Sequence, residues 1–546
     1  MKQTRRLLWW VILTVVIGAL LGGVYGQRVE ATTDGDDSDV HKSLNAFTQV
    51  YDVVEKNYAD PIDPDKAVFG PQTSGTVGAI PGMLRTLDPH SNFFDPRAFA
   101  ALREDQEGRY YGVGMTIQQR PGKMGKLETI VLQPIPGSPA FRAGLRPGDV
   151  IAKVDGTSTD GLQSDRVAEM LKGPKGTVVH VTIGREGYPP LNFTITRDEI
   201  SRKSLDDVFM MQPGIAYIHI DKFNETTNDE LTDELHKLNA KTLKGLILDL
   251  RGNPGGLLQE AVDVSDHFLE KHQLIVYHYG RHSNEKRYYA QHGDNSNEYP
   301  IVVLINRMTA SAAEIVTGAL QDHDRALVIG EPSFGKGLVQ TVYPLSEHTG
   351  LALTTAHYYT PSGRLIQRDY ENVSLYDYYY RPENAPTPHE DVHVTDGGRE
   401  VYGGGGISPD INFTGPALSP IQERLTACPS YPDCGPFFEF GKHYLGVHKT
   451  VARDFMPDDA TVQEFGDFLN SQSIKFTPQD LKDNGDFIKK NIRYELLSMI
   501  YGEEDAKQVS IANDPLVEKA LQSFPQAAEL LAHAKKYMAS KGRGPE

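Results

Sequence analysis

Cysteine is almost absent from this sequence, which has only Cys428 and Cys434 among 546 residues. Two cysteines exclude a disulfide framework and a structural zinc site made of cysteines. One short disulfide between them is permitted in an oxidising compartment, and two free thiols are the alternative. Side chains with the spacing of metal ligands are also lacking, so the sequence predicts neither a metal site nor a cofactor.

The sequence has fewer basic residues than acidic ones. The 55 lysines and arginines stand against 73 aspartates and glutamates, which gives a formal net charge of −18. This balance argues against a general nucleic-acid binder, which is usually basic. Hydrophobic content of 39% and charged content of 23% are ordinary for a globular protein, and the length allows several domains.

An apolar run at residues 7–25 is long enough to cross a membrane. Lys2, Arg5 and Arg6 precede it, as in a signal peptide or an uncleaved anchor. Residues 29–31 offer a cleavage site, but they lie well beyond the run, which favours the anchor. In both cases the positive-inside rule predicts that the rest of the chain is outside the cytoplasm. We therefore expect a periplasmic or otherwise extracytoplasmic protein of the cell envelope, anchored in the inner membrane by residues 7–25.

The hydrophobic pattern changes several times along the chain. Helical periodicity gives way to short strand-like runs, then to alternating strands and helices, and finally to helices alone. The alternation predicts an α/β core with parallel strands. The expected regions are a signal peptide or anchor (1–26), a flexible tether (27–43), a helical region (44–108), a β domain (109–200), an α/β core (201–415) and a helical extension (416–546).

Ser311 stands between an apolar run, Ile301–Ile305, and a helical pattern, and Glu314 follows three residues later. The S-x-x-E pattern is typical of a capping box, so a purely structural serine is one interpretation. The other is a nucleophile, because functional groups in α/β folds gather where strands end and helices begin. Gly255 and Gly256 occupy a second junction of this kind.

Lys336 lies in a glycine-lined loop that matches G-x-x-x-x-G-K, the front of a phosphate-binding loop. Gly337 follows where such a loop has Ser or Thr, and a strand pattern replaces the expected helix, so a nucleotide site is disfavoured. Phe334, Leu338 and Val339 with the glycines suit a desolvated pocket instead. Burial lowers the pKa of lysine from about 10.4, and a neutral lysine can take a proton from serine.

Three histidines are alternative general bases for Ser311. They are His267, His323 and His357. His90 is interpreted as a turn or capping residue.

Residues 134–156, PIPGSPAFRAGLRPGDVIAKVDG, resemble part of a PDZ domain. In such domains an exposed sheet edge accepts an added peptide strand. The residues that match the glycine-rich loop, whose N–H groups bind a terminal carboxylate, are Tyr110, Tyr111, Gly112, Val113 and Gly114. A plain β-turn at the two glycines is the alternative.

From about residue 44 to residue 413 the chain resembles the carboxy-terminal processing, or tail-specific, proteases, which are serine peptidases with a Ser–Lys dyad. The most specific segments are LDPHSNFFDP, the PDZ-like module, DLRGNPGG, TASAAEI and PSFGKGLVQ. The resemblance implies that Ser311 is the nucleophile, Lys336 the general base and Gln340 the residue that holds the lysine. The residues with implied oxyanion or supporting roles are Gly255, Gly256, Glu314, Asp322 and Ser333. Thr309 and Ala313 stand where serines are common in the family, and neither carries the proton transfer.

The expected fold is therefore an α+β or α/β multidomain protein. A PDZ-like β domain is inserted before a peptidase core with crotonase-like layers of sheet and helices, and helical regions lie at both ends. The implied function is an endopeptidase that cleaves proteins near unstructured, apolar C-terminal tails. The alternative is a non-catalytic PDZ adaptor on a peptidase-like scaffold, against which the intact Ser311, Lys336 and Gln340 argue. A homo-oligomer and an adaptor or activator protein are open as partners.

Overall fold

The computed structural model describes residues 37–59, 61–70, 78–122, 126–185, 187–293, 299–371, 373–380, 391–426 and 435–540. They form two units, Met1–Met83 and Leu84–Glu546. The expected anchor (7–25) and the two cysteines, Cys428 and Cys434, lie outside the described residues. Among the helices that are described, none has both the length and the hydropathy needed to cross a bilayer.

The helices are, in chain order, α1 (Asp37–Asn57), α2 (Pro64–Phe69), α3 (Ala79–Leu84), α4 (Pro96–Glu107), α5 (Pro139–Ala143), α6 (Ser164–Leu171), α7 (Thr227–Lys237), α8 (Leu258–Asp266), α9 (Ala312–Asp322), α10 (Leu375–Tyr380), α11 (Pro420–Thr426), α12 (Pro436–His448), α13 (Asp459–Ser471), α14 (Pro478–Asp483), α15 (Gly485–Tyr501), α16 (Glu503–Ile511), α17 (Pro515–Gln522) and α18 (Phe524–Ser540). Helix α1 includes residues 37–43, which were expected to be flexible.

The strands are, in chain order, β1 (Asn92–Phe94), β2 (Arg109–Gly112), β3 (Met115–Pro121), β4 (Leu127–Pro134), β5 (Val150–Val154), β6 (Thr157–Ser158), β7 (Val178–Gly184), β8 (Leu191–Thr196), β9 (Asp198–Ser201), β10 (Leu205–Gln212), β11 (Ile215–Ile220), β12 (Gly245–Asp249), β13 (Leu274–Gly280), β14 (Ser283–Tyr289), β15 (Ile301–Ile305), β16 (Ala326–Gly330), β17 (Leu338–Pro344), β18 (Gly350–Tyr359), β19 (Val392–Val394), β20 (Glu400–Tyr402) and β21 (Ile411–Asn412).

The core sheet has the strand order β10–β11–β12–β15–β16–β21. Neighbours are parallel except for β10 and β11. Strands β12, β15 and β16 are buried along their whole length. Helices α8 and α9 pack on one face, and α17 and α18 of the C-terminal extension pack on the other. Burial on both faces explains why these strands are continuous apolar runs.

A second sheet is antiparallel, with the order β1–β18–β13–β14 and with β17 also paired to β18. The register of β17 on β18 shifts between Val339 and Gln340. Such a bulge re-aims the side chains that follow it. The bulge therefore helps to set the direction in which Gln340 points.

The β domain has its own sheet, ordered β3–β4–β5–β7–β8, and its own apolar core. Strand β3 is an edge of this sheet. Strands β2 and β9 pair where the chain enters and leaves the domain. The predicted fold class is confirmed, because a β domain with its own core precedes a core of sheets and helices, and helical regions lie at both ends.

Candidate active site

Ser311 and Lys336 line one cleft, which has a volume of about 420 Å³. Ser311 comes directly before α9 and follows β15, whereas Lys336 lies between β16 and β17. Gly255 and Gly256 come after β12 and line the same cleft. Strands β12, β15 and β16 are parallel neighbours, so their carboxyl ends bring all four residues to one edge of the core sheet.

The backbone of Ser311 is strained. Its φ of 54° and ψ of −115° lie outside the extended conformation of an ordinary helix cap. Positive φ is rare in residues other than glycine and costs about 1–3 kcal/mol. A strained turn from strand to helix is the geometry that exposes a nucleophilic serine in other hydrolase folds. The capping-box pattern did not predict this strain.

Glu314 ties the serine segment to the lysine loop. Its carboxylate is fully buried and accepts hydrogen bonds from the N–H of Ser311 at 2.8 Å and from the N–H of Lys336 at 2.9 Å. It also accepts from the N–H of Gly335 at 2.7 Å and from the hydroxyl of Ser333 at 2.5 Å. Burial raises the pKa of Glu314, and these hydrogen bonds oppose the shift. One carboxylate thus fixes both segments of the cleft.

Tyr358 of β18 makes a second tie between the same segments. Its buried hydroxyl lies 3.0 Å from the carbonyl oxygen of Ser311 and 2.6 Å from that of Lys336. Both carbonyls are acceptors, so the hydroxyl serves as the donor between them. The sequence pattern gave no role to this tyrosine.

Gln340 holds the end of the lysine side chain. The Nζ of Lys336 donates to Oε1 of Gln340 at 2.9 Å, and Nε2 of Gln340 donates to the carbonyl oxygen of His90 at 2.6 Å. Gln340, the residue that the family resemblance implies as holding the lysine, therefore lies within hydrogen-bond distance of it. The acceptor on His90 is a backbone atom.

The lysine pocket favours neutral groups. Burial lowers the pKa of Lys336, against the charges of Glu314 and Asp88. Burial and the positive charges of Lys336 and Arg368 lower the pKa of His90 to about 4, against Asp88. His90 is therefore neutral near neutral pH, and the lysine is more easily deprotonated than an exposed one.

Gly255 and Gly256 lie too close to neighbouring residues to carry a side chain. A Cβ added to Gly255 would lie 2.7 Å from the Cβ of Ser311, and one added to Gly256 would lie 1.9 Å from the carbonyl oxygen of Phe223. Their φ angles are 99° and 142°, so a larger residue is also disfavoured by the backbone. The N–H of Gly255 already donates to Oδ1 of Asn253 at 2.8 Å.

Ser333 and Asp322 lie in different places. The hydroxyl of Ser333 bonds Glu314 and accepts from the N–H of Ile407 at 2.6 Å. Asp322 does not line the described part of the cleft. It pairs with the buried Arg364 at 2.5 Å and accepts from the N–H of Ser362 at 2.9 Å.

The three alternative histidines are not among the described residues that line the cleft. His323 bonds Asp396 at 2.6 Å, and His267 bonds Asn228 at 2.9 Å. His357 is on β18. His90 does line the cleft. Its backbone N–H donates to the carboxylate of Asp88, as in a turn.

The PDZ-like loop borders a groove of about 460 Å³. Tyr110, Val113 and Gly114 line it, together with the edge strand β3 and helix α6. Tyr111 and Gly112 are not among its lining residues. The hydroxyl of Tyr111 contacts Glu199 at 3.3 Å.

One group of potential metal ligands lies elsewhere. Single donor atoms of Asp206, Asp207 and His219 are within 4.8 Å of one another. The pairing of β10 with β11 brings them together, so sequence spacing did not reveal them. The ammonium of Lys507 already bonds Asp206 at 2.8 Å, and none of the three potential ligands lines the described part of the cleft.

Comparison with known proteins gives consistent matches. Residues 214–372 match the profile of peptidase family S41, and residues 130–185 match that of a PDZ domain. The chain is 37% identical over 361 residues to the carboxy-terminal-processing protease of Bartonella bacilliformis, which covers 65% of this chain and 80% of that protein. It is 33% identical over 376 residues to the carboxy-terminal processing protease CtpA of Bacillus subtilis, covering 67% and 76%. A solved photosystem II D1 C-terminal processing protease is 29% identical, with coverage of 68% and 92% and a TM-score of 0.34.

Proposed function

Because the chain belongs to the carboxy-terminal processing proteases, serine peptidases of family S41 with a PDZ domain, we propose that Ser311 is its nucleophile and Lys336 its general base. Family and peptidase class, expected from the motifs, are confirmed by these matches. The observation that carries the dyad is the buried carboxylate of Glu314, which bonds the backbone N–H of both residues at the edge of one cleft.

The proposed reaction proceeds through an ester on Ser311. Neutral Lys336 takes the proton of the hydroxyl while its oxygen attacks the scissile carbonyl. The lysine then gives that proton to the leaving amine, and the carbon–nitrogen bond breaks. Water attacks the ester in the second half, and Lys336 again accepts and returns a proton.

We assign the oxyanion site to the N–H groups of Gly256 and Ala312. Both residues line the cleft, and Ala312 directly follows the nucleophile at the N-terminus of α9. The N–H of Gly255 donates to Oδ1 of Asn253. Gly255 supports the site in another way, because the absence of a side chain allows the close approach of Ser311. Ser333 supports it through Glu314, and Asp322 is assigned a structural role at Arg364.

The first prediction concerns pH. Activity requires neutral Lys336, so kcat/KM rises with pH through the lowered pKa of that lysine and is lost below it. The acidic limb should lie below the ordinary lysine value of about 10.4. A rate profile between pH 5 and 10 on a fluorogenic peptide measures it. An acidic limb near 6.5 that persists in Lys336→Ala would contradict the assignment and favour a histidine.

The β domain is proposed to recognise the tail of the substrate. Its groove combines an unpaired sheet edge at β3 with apolar side chains that include Ile117, Ile135 and Leu171. A peptide can add a strand to such an edge, and its last side chain can fill the apolar groove. The N–H groups near Val113 and Gly114 are proposed to bind the terminal carboxylate.

The second prediction tests tail recognition. Ala168 lies on α6 and lines the groove, so Ala168→Trp should fill it. We expect KM for an unfolded protein with an apolar tail to rise about tenfold with little change in kcat, because binding away from the reacting bond is weakened. Ala168→Ser keeps the groove open and is the matched control. Equal KM values for the tryptophan variant and the wild type, or no effect of amidating the tail, would refute tail recognition.

The proposed enzyme acts outside the cytoplasm. Lys2, Arg5 and Arg6 before the apolar run at 7–25 support an anchor in the inner membrane, with the catalytic part on the far side. Its proposed substrates are proteins of that compartment with unstructured C-terminal tails.

A further inference from the structure

Gln340 can orient Lys336 only if its own amide is held in one direction. Its Oε1 faces Nζ of Lys336, and its Nε2 faces the carbonyl oxygen of His90. A flipped amide would set its NH₂ against the lysine and its oxygen against the carbonyl, and both contacts would be unfavourable. The carbonyl of His90 therefore decides which end of Gln340 meets the lysine.

His90 is held in place by a short helix that lies far away in sequence. Nε2 of His90 is 2.9 Å from the hydroxyl of Tyr378, on α10. The hydroxyl of Tyr379 donates to the carbonyl oxygen of Pro89 at 2.8 Å. The backbone N–H of His90 also donates to the carboxylate of Asp88. These hydrogen bonds together hold His90 in place.

Tyr378 also reaches the other side of the lysine loop. Its hydroxyl accepts from Nε2 of Gln367 at 3.3 Å, and Oε1 of Gln367 accepts from the N–H of Gly337 at 2.9 Å. Nη2 of Arg368 donates to the carbonyl of Tyr378 at 2.5 Å. The tyrosine ring is 2% exposed and packs at right angles on Phe334, with centroids 5.4 Å apart.

These contacts give the Tyr378 hydroxyl a consistent pair of bonds. It accepts from Gln367 and can donate to His90, which is neutral because burial and nearby positive charges lower its pKa to about 4. Nε2 of His90 is then the acceptor, and Nδ1 carries the ring proton.

We propose that Tyr378 is a positioning residue for the general base. Its hydroxyl holds His90, the His90 carbonyl orients Gln340, and Gln340 directs Nζ of Lys336 toward Ser311. This inference rests on the proposed Ser–Lys mechanism and adds a residue of α10 that neither the family motifs nor the dyad itself requires.

The test is Tyr378→Phe, which keeps the ring and removes the hydroxyl. We expect kcat to fall about tenfold with KM within about twofold, because a small misplacement of a catalytic group is costly. The acidic limb of kcat/KM should also move to higher pH, because a less ordered pocket admits water and desolvates the lysine less. The titratable groups around Lys336 that can affect this limb are Glu314, Asp88, His90, Tyr358, Arg368 and Tyr378. Tyr380→Phe is the matched control, because it removes a hydroxyl from the same helix at a side chain that is 71% exposed.

A double-mutant cycle separates positioning from general stability. In a Gln340→Ala background, Tyr378→Phe should lower kcat much less than tenfold, since the route through His90 is already gone and only the weaker contact through Gln367 remains. A full tenfold loss there, an unchanged kcat in the single variant, or a Tyr378→Phe protein that fails to fold would each overturn the proposal. If Ser311→Ala keeps its activity, the proposed Ser–Lys mechanism is refuted. If activity depends on Ser311 but not on Tyr378, only the proposed positioning role of Tyr378 is refuted.

Discussion

Ser311→Ala and Lys336→Ala are each expected to lower kcat/KM by at least about 10³-fold, since a dyad loses most of its activity when either member is removed. The serine variant lacks the proposed nucleophile, and the lysine variant lacks the group proposed to accept its proton. The substrate is an unfolded protein with an apolar tail, and cleavage is followed by mass spectrometry. Tail binding should be retained in both variants, because the groove at β3 is separate from the cleft residues that are changed.

Lys222→Ala is the matched control for the lysine. Lys222 lines both the cleft and the groove at β3, and its Nζ pairs with Asp105 at 2.6 Å. Because a contact in the groove affects KM, the comparison uses kcat, which we expect to fall less than about tenfold in Lys222→Ala. Retained cleavage in Ser311→Ala and Lys336→Ala, or equal losses in the two lysine variants, would rule out the dyad.

Glu314→Ala is expected to abolish activity and to destabilise the protein. It would leave four donors without their acceptor inside the core: the N–H groups of Ser311, Gly335 and Lys336 and the hydroxyl of Ser333. Each unsatisfied buried donor costs about 1–3 kcal/mol. With four such donors, we expect the free energy of unfolding to fall by at least about 4 kcal/mol.

Denaturant unfolding of the wild type and the variant measures this change. Glu285→Ala is a control at an exposed glutamate that pairs with Arg287, and it should change the free energy by less than about 0.5 kcal/mol. If Glu314→Ala matches that control in stability and keeps wild-type activity, the carboxylate does not hold the two segments together.

Local patterns predicted the central strands well and some other elements poorly. The apolar run Ile301–Ile305 predicts a strand with the observed bounds, because burial on both faces leaves an uninterrupted apolar run. Residues 407–413, ISPDINF, have the pattern of a strand, but only Ile411–Asn412 is one. Residues 478–500 have the pattern of a single helix, but they form two helices that meet at Asn484. Short edge pairings and helix breaks depend on tertiary contacts that periodicity does not encode.

The contacts of the site were only partly accessible from sequence. Gln340 was found because its side chain belongs to a motif. The carbonyl of His90 was missed because every residue has a backbone carbonyl, and its partner lies 250 positions away. Tyr358 had a weak signal, since it occupies a buried position in the alternating pattern of β18. Tyr378 lies in a segment rich in tyrosine, proline and glycine whose composition favours a loop, and only the folded chain brings it to His90.

The most direct test of the dyad is to trap the acyl group on the enzyme. A tail peptide whose scissile bond is an ester should acylate faster than the ester on the enzyme hydrolyses, so the intermediate accumulates. After acid quench and digestion, mass spectrometry should find the N-terminal fragment of the peptide on Ser311 in the wild type and no adduct in Lys336→Ala. An adduct on another residue, or equal acylation of Ser311 in the wild type and Lys336→Ala, would contradict a Ser311–Lys336 dyad.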